Sequence, residues 1–192
     1  EHGGTHLDAP VHFAEGKKTA DKIELTQLIG EGVVIDVSAE AADRDYEITV
    51  DDINAWEAVN GKIPEWAIIL FRTGFAAKWP DKKAYLGTDQ KGAEAVKDLH
   101  FPGLHPDAAK WMVENRKFKA VGIDTASIDR GQSTTFGAHV ALMTNDIPAF
   151  ENVANLDKLP AKGFQVVALP MKIKGGSGGP LRIVALLPLA PK

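Results

Sequence analysis

The chain has 192 residues, 44% hydrophobic and 25% charged, with a formal net charge of −4 and no cysteine. This is the profile of one soluble globular domain, 1–192, with apolar material enough for a core. The acidic balance excludes nucleic-acid binding through clustered Lys and Arg. The lack of thiols excludes disulfides, thiolate zinc sites and a cysteine nucleophile, and no apolar run is long enough for a membrane helix. The expected partner is a small molecule, with no nucleic acid and no membrane. Glu1 stands where an initiator Met is expected, inside the first motif, so an upstream segment is expected to be missing. The expected location is the cytoplasm, although a signal peptide could have gone with that segment.

Three of the six histidines lie in the first twelve residues, where His2, His6, Asp8 and His12 alternate with small and apolar residues. Imidazoles with a carboxylate suit Zn²⁺, Mn²⁺ or Fe²⁺, and a carboxylate can bridge two ions. Along a straight strand His2 and His6 would stand about 13 Å apart, too far for two imidazoles each about 2.1 Å from one ion. The chain must therefore bend, and Gly3 and Gly4 supply the bend. A helix would also bring His2 and His6 together, but two adjacent glycines weigh against it. His12 lies past Pro10 and reads either as a free imidazole suited to proton transfer near neutral pH or as a further ligand.

Further along, residues 32–38 form a short β-branched apolar run that predicts a buried strand. Thr49 and Asp52 predict a capped helix start before an Ile53, Trp56 and Val59 stripe. Ala67 to Arg72 is a second strand, and residues 74–105 look irregular. Pro106 opens a helix over Ala108 to Val113, and Ala120 to Asp124 is a third strand. Asp124 and Asp129 read as buried carboxylates tying down a loop. Gln132 and Ser133, which follow, are candidates to hydrogen-bond a substrate carbonyl. A helical segment over Ala138 to Thr144 carries His139. Glu151 lies twelve residues on, beyond a Pro148 turn. His139 and Glu151 are the candidate partners of a second ion beside Asp8. Otherwise His139 is a satisfied buried histidine and Glu151 favours a helix start. Strands at Gln165 to Leu169 and Leu181 to Leu187 flank the glycine-rich stretch 174–180, a hairpin loop that lacks the Lys and Ser/Thr of a phosphate loop. His100 and His105 read as structural or exposed, and Trp56, Trp66, Trp79 and Trp111 as core or helix-packing residues. Five strands with interspersed helices predict an α/β domain around a central sheet.

The run His2-Gly3-Gly4-Thr5-His6-Leu7-Asp8-Ala9-Pro10-Val11-His12-Phe13 resembles the signature of the metal-dependent cyclase-like hydrolases. The likeness continues through Gly122 to Asp129, Phe136 to Leu142, Ile147 to Leu156, Ala168 to Lys172 and Pro180 to Arg182. It implies a swivelling β/β/α fold with a central mixed sheet, and assembly as a homodimer or larger homo-oligomer. It also implies a divalent cofactor, Mn²⁺ or Zn²⁺, as one or two ions. His2, His6 and Asp8 would hold the first ion, Asp8, His139 and Glu151 a second, and His12 would be the catalytic acid/base. Phe13 joins Gln132 and Ser133 as a candidate substrate contact.

The implied reaction cleaves the C–N amide bond of a small aromatic substrate by metal-activated water. Residues 133–136, 151–157 and 175–180 are similar to the branch that converts isatin to isatinate; N-formylkynurenine is the alternative substrate. A lyase using His12 on a carbon-bound proton, or a non-catalytic metal- or ligand-binding module, would use the same ligands. The family's additional segment before the motif, absent here, would normally contribute to sheet and pocket.

Overall fold

The computed structural model describes residues 1–188. In chain order these form β1 (His6–Asp8), α1 (Leu25–Leu28), β2 (Ile29–Asp36), β3 (Glu47–Ile48), α2 (Val50–Asn60), β4 (Ala67–Arg72), α3 (Lys82–Leu86), β5 (Gly103–Leu104), α4 (Pro106–Asn115), β6 (Phe118–Ile123), α5 (Gly137–Met143), β7 (Ala149–Glu151), β8 (Phe164–Pro170) and β9 (Gly178–Leu186). Seven strands close into a barrel in the order β1-β7-β6-β4-β2-β8-β9, and β3 and β5 pair separately. Strands β2, β4, β6 and β7 run parallel, whereas β8 opposes β2, β9 opposes β8, and β1 opposes both β7 and β9. The fold is thus α/β with a central mixed sheet, as expected, and the sheet closes on itself.

The apolar strands have no polar face because both of their faces are covered. Val34, Ile68, Leu70 and Ala120 point into the barrel with Leu7, Phe150, Phe164 and Val166. Val33, Ile35, Ile69, Phe71, Val121 and Ile123 point outward, against Ile53 and Trp56 of α2, Ala108 and Met112 of α4, and Ala138 and Leu142 of α5. Helix α2 opens as its sequence predicts: Thr49 Oγ1 accepts from the Asp52 N–H while the Asp52 carboxylate accepts from the Thr49 N–H. Pro106 opens α4.

Several expectations need correction. The barrel has two more strands than the five predicted, because β1 and β7 have three residues each and are too short to show a period. Strand β9 starts at Gly178 rather than Leu181, since Gly178, Gly179 and Pro180 pair with β1. Val59 is 84% exposed; six residues after Ile53 it has turned about 120° from that face. Trp66 and Trp79 are 56% and 67% exposed, and only Trp56 and Trp111 pack on the core as predicted. Residues 74–105 hold α3 and two 3-10 turns around a small cluster of Phe75, Tyr85 and Phe101.

Candidate metal centre

His6 and Asp8 are two apart on β1 and so share a face, and the β1–β7 register sets His6 opposite Glu151. Gly4, at φ 63°, makes the left-handed turn that returns His2 to the same point, as the glycine pair predicted. The first turn of α5 brings in His139. The groups converge on Asp8: its Oδ1 lies 2.6 Å from His2 Nδ1 and 3.1 Å from His6 Nε2, and its Oδ2 lies 3.1 Å from His139 Nε2. Glu151 completes the cluster, with Oε1 3.1 Å from His139 Nε2 and Oε2 3.4 Å from His6 Nε2. His6, Asp8, His139 and Glu151 are buried, while His2 stands at the mouth.

Two triads, His2–His6–Asp8 and Asp8–His139–Glu151, each offer donor atoms within 4.8 Å of one another. Ligands at about 2.1 Å around a tetrahedral ion stand about 3.4 Å apart, so most of these separations fit a shared cation. The second nitrogen of each imidazole has its own partner. His6 Nδ1 donates to the Gly4 carbonyl at 2.8 Å, His139 Nδ1 meets Asp129 Oδ2 at 2.5 Å, and His2 Nε2 meets Ser177 Oγ at 2.9 Å. Metal-binding histidines are oriented in this way.

The electrostatics agree. Burial alone would raise the Asp8 carboxyl, but the His139 and His6 N–H groups hold it well below the usual range. Burial would lower His139, yet Asp129, Asp8 and Glu151 hold it well above an ordinary imidazole. His6 is raised likewise by Asp8 and the Gly4 carbonyl against its burial. Positive charge is therefore favoured at the centre of this cluster, whether carried by protons or by a metal that displaces them.

His12 stands apart from the triads. It ends a 3-10 turn, Pro10–His12, and its ring stacks on His2 with centroids 4.1 Å apart. Burial lowers it, and the imidazoles of His2, His139 and His6 lower it further against the pull of Asp8. The cluster opens into a cavity of about 330 Å³ walled by Phe13, Phe136, Trp79, Tyr85, Leu86, Ala126, Ser127 and Asn152. The Phe13 ring packs 4.4 Å from His139 and 5.2 Å from Phe136.

His2, His6, Asp8, His12, Phe13, His139 and Glu151 are thus brought together. Gln132 and Ser133 are not: Gln132 donates to the Lys97 carbonyl and reaches His100, while Ser133 Oγ accepts from the Phe136 N–H and approaches Asp129. Their polar groups brace the loop before α5, and neither residue lines the cavity above the cluster.

The sequence reading placed Asp129 as a loop tie, but it also aims His139. It missed Tyr85 and Asn152, which are distant in sequence and belong to no spacing pattern. Asp124 does tie a loop, accepting from the Thr73 and Gly74 N–H groups.

The arrangement is an α/β barrel with a buried imidazole–carboxylate cluster at the floor of an aromatic-walled cavity, a donor set suited to a divalent metal ion. Residues 1–130 match the family model described as "Putative cyclase", and the chain belongs to this cyclase family. It is 38% identical over 199 residues to an isatin hydrolase of Roseibium aggregatum, covering 99% of this chain and 73% of that protein. A kynurenine formamidase of Erythrobacter litoralis is 30% identical over 183 residues, 95% of this chain and 72% of that one. The crystal structure of an isatin hydrolase bound to the product analogue thioisatinate superposes with a TM-score of 0.88 at 37% identity, covering 98% and 72% of the two chains.

Proposed function

We propose that this chain is a metal-dependent amidohydrolase that opens the C–N bond of a small aromatic amide, with isatin as substrate and isatinate as product. The observation that carries the reading is the shared carboxylate of Asp8, faced by three imidazoles, beside a fourth imidazole, His12, that belongs to neither triad. His2, His6 and Asp8 would hold one divalent ion, and Asp8, His139 and Glu151 a second. Nitrogen and oxygen donors suit Mn²⁺ and Zn²⁺ alike. Such ions polarise a carbonyl and lower the pKa of water towards 7.

The protein's own groups do the rest. Phe13, Phe136 and Trp79 offer flat apolar surface to an aromatic ring and exclude water from one side of it. His12, depressed below the ordinary imidazole range, is neutral near pH 7 and takes the proton of the attacking water. It then delivers that proton to the departing nitrogen, so the anilide leaves as a neutral amine. N-formylkynurenine is the second reading, favoured by the likeness to a kynurenine formamidase. Self-association belongs to the proposal, since Leu169, Val184 and Leu186 on β8 and β9 leave an exposed apolar strip.

The test is loss of isatin absorbance by protein loaded with Mn²⁺ or Zn²⁺, with and without chelator, alongside metal analysis. Loaded protein is expected to consume isatin, and chelated protein is not. His12→Ala should keep its metal and lose at least about a hundredfold in kcat, whereas Asp8→Ala should lose both. Metal content without turnover of isatin or N-formylkynurenine would leave only a binding module. Loss of metal from His12→Ala would make His12 a ligand.

A further inference from the structure

Resting on that reading, we propose that Asn152 determines substrate specificity: its side-chain oxygen accepts the N–H of a secondary anilide while its NH₂ is held by Tyr85. Asn152 follows Glu151 directly and sits at φ 54°, a left-handed conformation uncommon for a residue with a side chain. Both of its backbone groups are bonded: its N–H donates to the Thr125 carbonyl at 2.8 Å, and its carbonyl accepts from Thr5 Oγ1 at 2.7 Å. Its position is therefore fixed independently of its side chain, which lies on the wall shared by the cavity above the metal centre and an adjoining apolar cavity of about 260 Å³.

The assignment of the amide atoms follows from counting protons. The Tyr85 hydroxyl lies 3.1 Å from the Asp124 carbonyl oxygen and 3.0 Å from Asn152 Oδ1. It has one proton, and both of these oxygens are acceptors. The Asp124 carbonyl belongs to a buried residue, and among the described residues Tyr85 is its hydrogen-bond donor. Leaving it unpaired is costly, so the phenol proton goes there. The Tyr85 oxygen then needs a donor from Asn152. A half-turn of the amide supplies it by exchanging the oxygen and the NH₂, an assignment that the hydrogen-bond network decides.

In that orientation the NH₂ donates to Tyr85 and the oxygen becomes the free acceptor of a side chain that lines the same cavity as His12. An acceptor at that wall favours a substrate that carries hydrogen on the scissile nitrogen and rejects one that carries a methyl group. The shared chemistry is a secondary anilide, whether a ring lactam or an open N-acyl aniline.

The experiment compares kcat/KM for isatin and N-methylisatin in metal-loaded wild type, Asn152→Gly and Tyr85→Phe, with metal content and melting temperature recorded for each. Glycine keeps the left-handed backbone without strain, so Asn152→Gly tests the side chain alone. Wild type is expected to prefer isatin by about ten- to a hundredfold. Asn152→Gly should bring the ratio within about threefold by losing isatin turnover. Tyr85→Phe frees the amide and should give an intermediate ratio. An unchanged ratio in Asn152→Gly at full metal content overturns this inference and leaves the amidohydrolase reading standing. Failure of loaded wild type to consume isatin removes that reading and this inference with it.

Discussion

Replacing Asp129 by Asn is the sharpest probe of the metal centre, because it changes one buried oxygen to NH₂ without changing volume. The carboxylate accepts from the Ala138 N–H at 3.0 Å, the His139 N–H at 3.2 Å and His139 Nδ1 at 2.5 Å. An amide retains one acceptor, which can keep the Ala138 bond, and turns its NH₂ towards the His139 backbone and ring. Two donors then face each other at the His139 N–H, costing about 1–3 kcal/mol. The ring can accept at Nδ1 only by carrying its proton on Nε2, the nitrogen that lies 3.1 Å from both Asp8 and Glu151. That nitrogen then has no lone pair for a cation. Orienting partners of this kind are worth ten- to a hundredfold in metal affinity, or about 1.4–2.7 kcal/mol. Titration calorimetry with Zn²⁺ or Mn²⁺ measures the loss of affinity, melting of the metal-free protein the donor clash, and nitrogen NMR of His139 the tautomer. Wild-type affinity in Asp129→Asn, with the proton seen on Nε2, would refute His139 as a ligand.

Other consequences can be measured separately. A Cβ at Gly103 would lie 2.1 Å from the Arg130 N and 2.3 Å from the Asp129 carbonyl carbon. Backbone cannot rotate aside, so Gly103→Ala should cost about 1–3 kcal/mol in denaturant melts and weaken metal binding by displacing Asp129; an unchanged midpoint would contradict the packing. Glu57 accepts from Arg116 at 2.8 and 2.6 Å and from the Ile63 N–H, and the Arg116 guanidinium holds its carboxyl below the usual range. Its contribution is complete above the unfolded value near 4.5 and disappears as pH falls through the lower folded value. Glu57→Gln should therefore be about 1–2 kcal/mol less stable at pH 7, a gap that closes in acid; a gap independent of pH would exclude the ion pair as its source. Metal at about a hundred times its Kd should stabilise the fold by about 2.7 kcal/mol, reversed by chelator and read as a melting shift.

The elements with strong local signals were legible in the sequence. Continuous apolar runs marked β2, β4 and β6 because both of their faces are buried, and the reciprocal Thr49–Asp52 cap marked α2. The glycine pair announced the turn at Gly4, and ligand chemistry gathered His2, His6 and Asp8. Barrel closure was hidden: a three-residue strand such as His6–Asp8 has no periodicity, and its partners lie some 140 and 170 residues away in register. Residues joined only by folding were hidden too. Nothing in the spacing of Asp129 and His139, or of Tyr85 and Asn152, foretells that one aims the other. Gln132 and Ser133 have the right chemistry for substrate contact, but folding places their hydrogen bonds within the loop before α5 and off the cavity wall.

Strand β1 joins β7 to β9 and also carries His6 and Asp8. Cutting the chain after Asp8 would leave two strand margins unpaired and prone to stick to other molecules. Trimming the amino end is thus unlike losing a catalytic group from an intact scaffold. Solubility and chemistry would disappear in the same event, and no well-behaved inactive barrel would persist to compete for substrate.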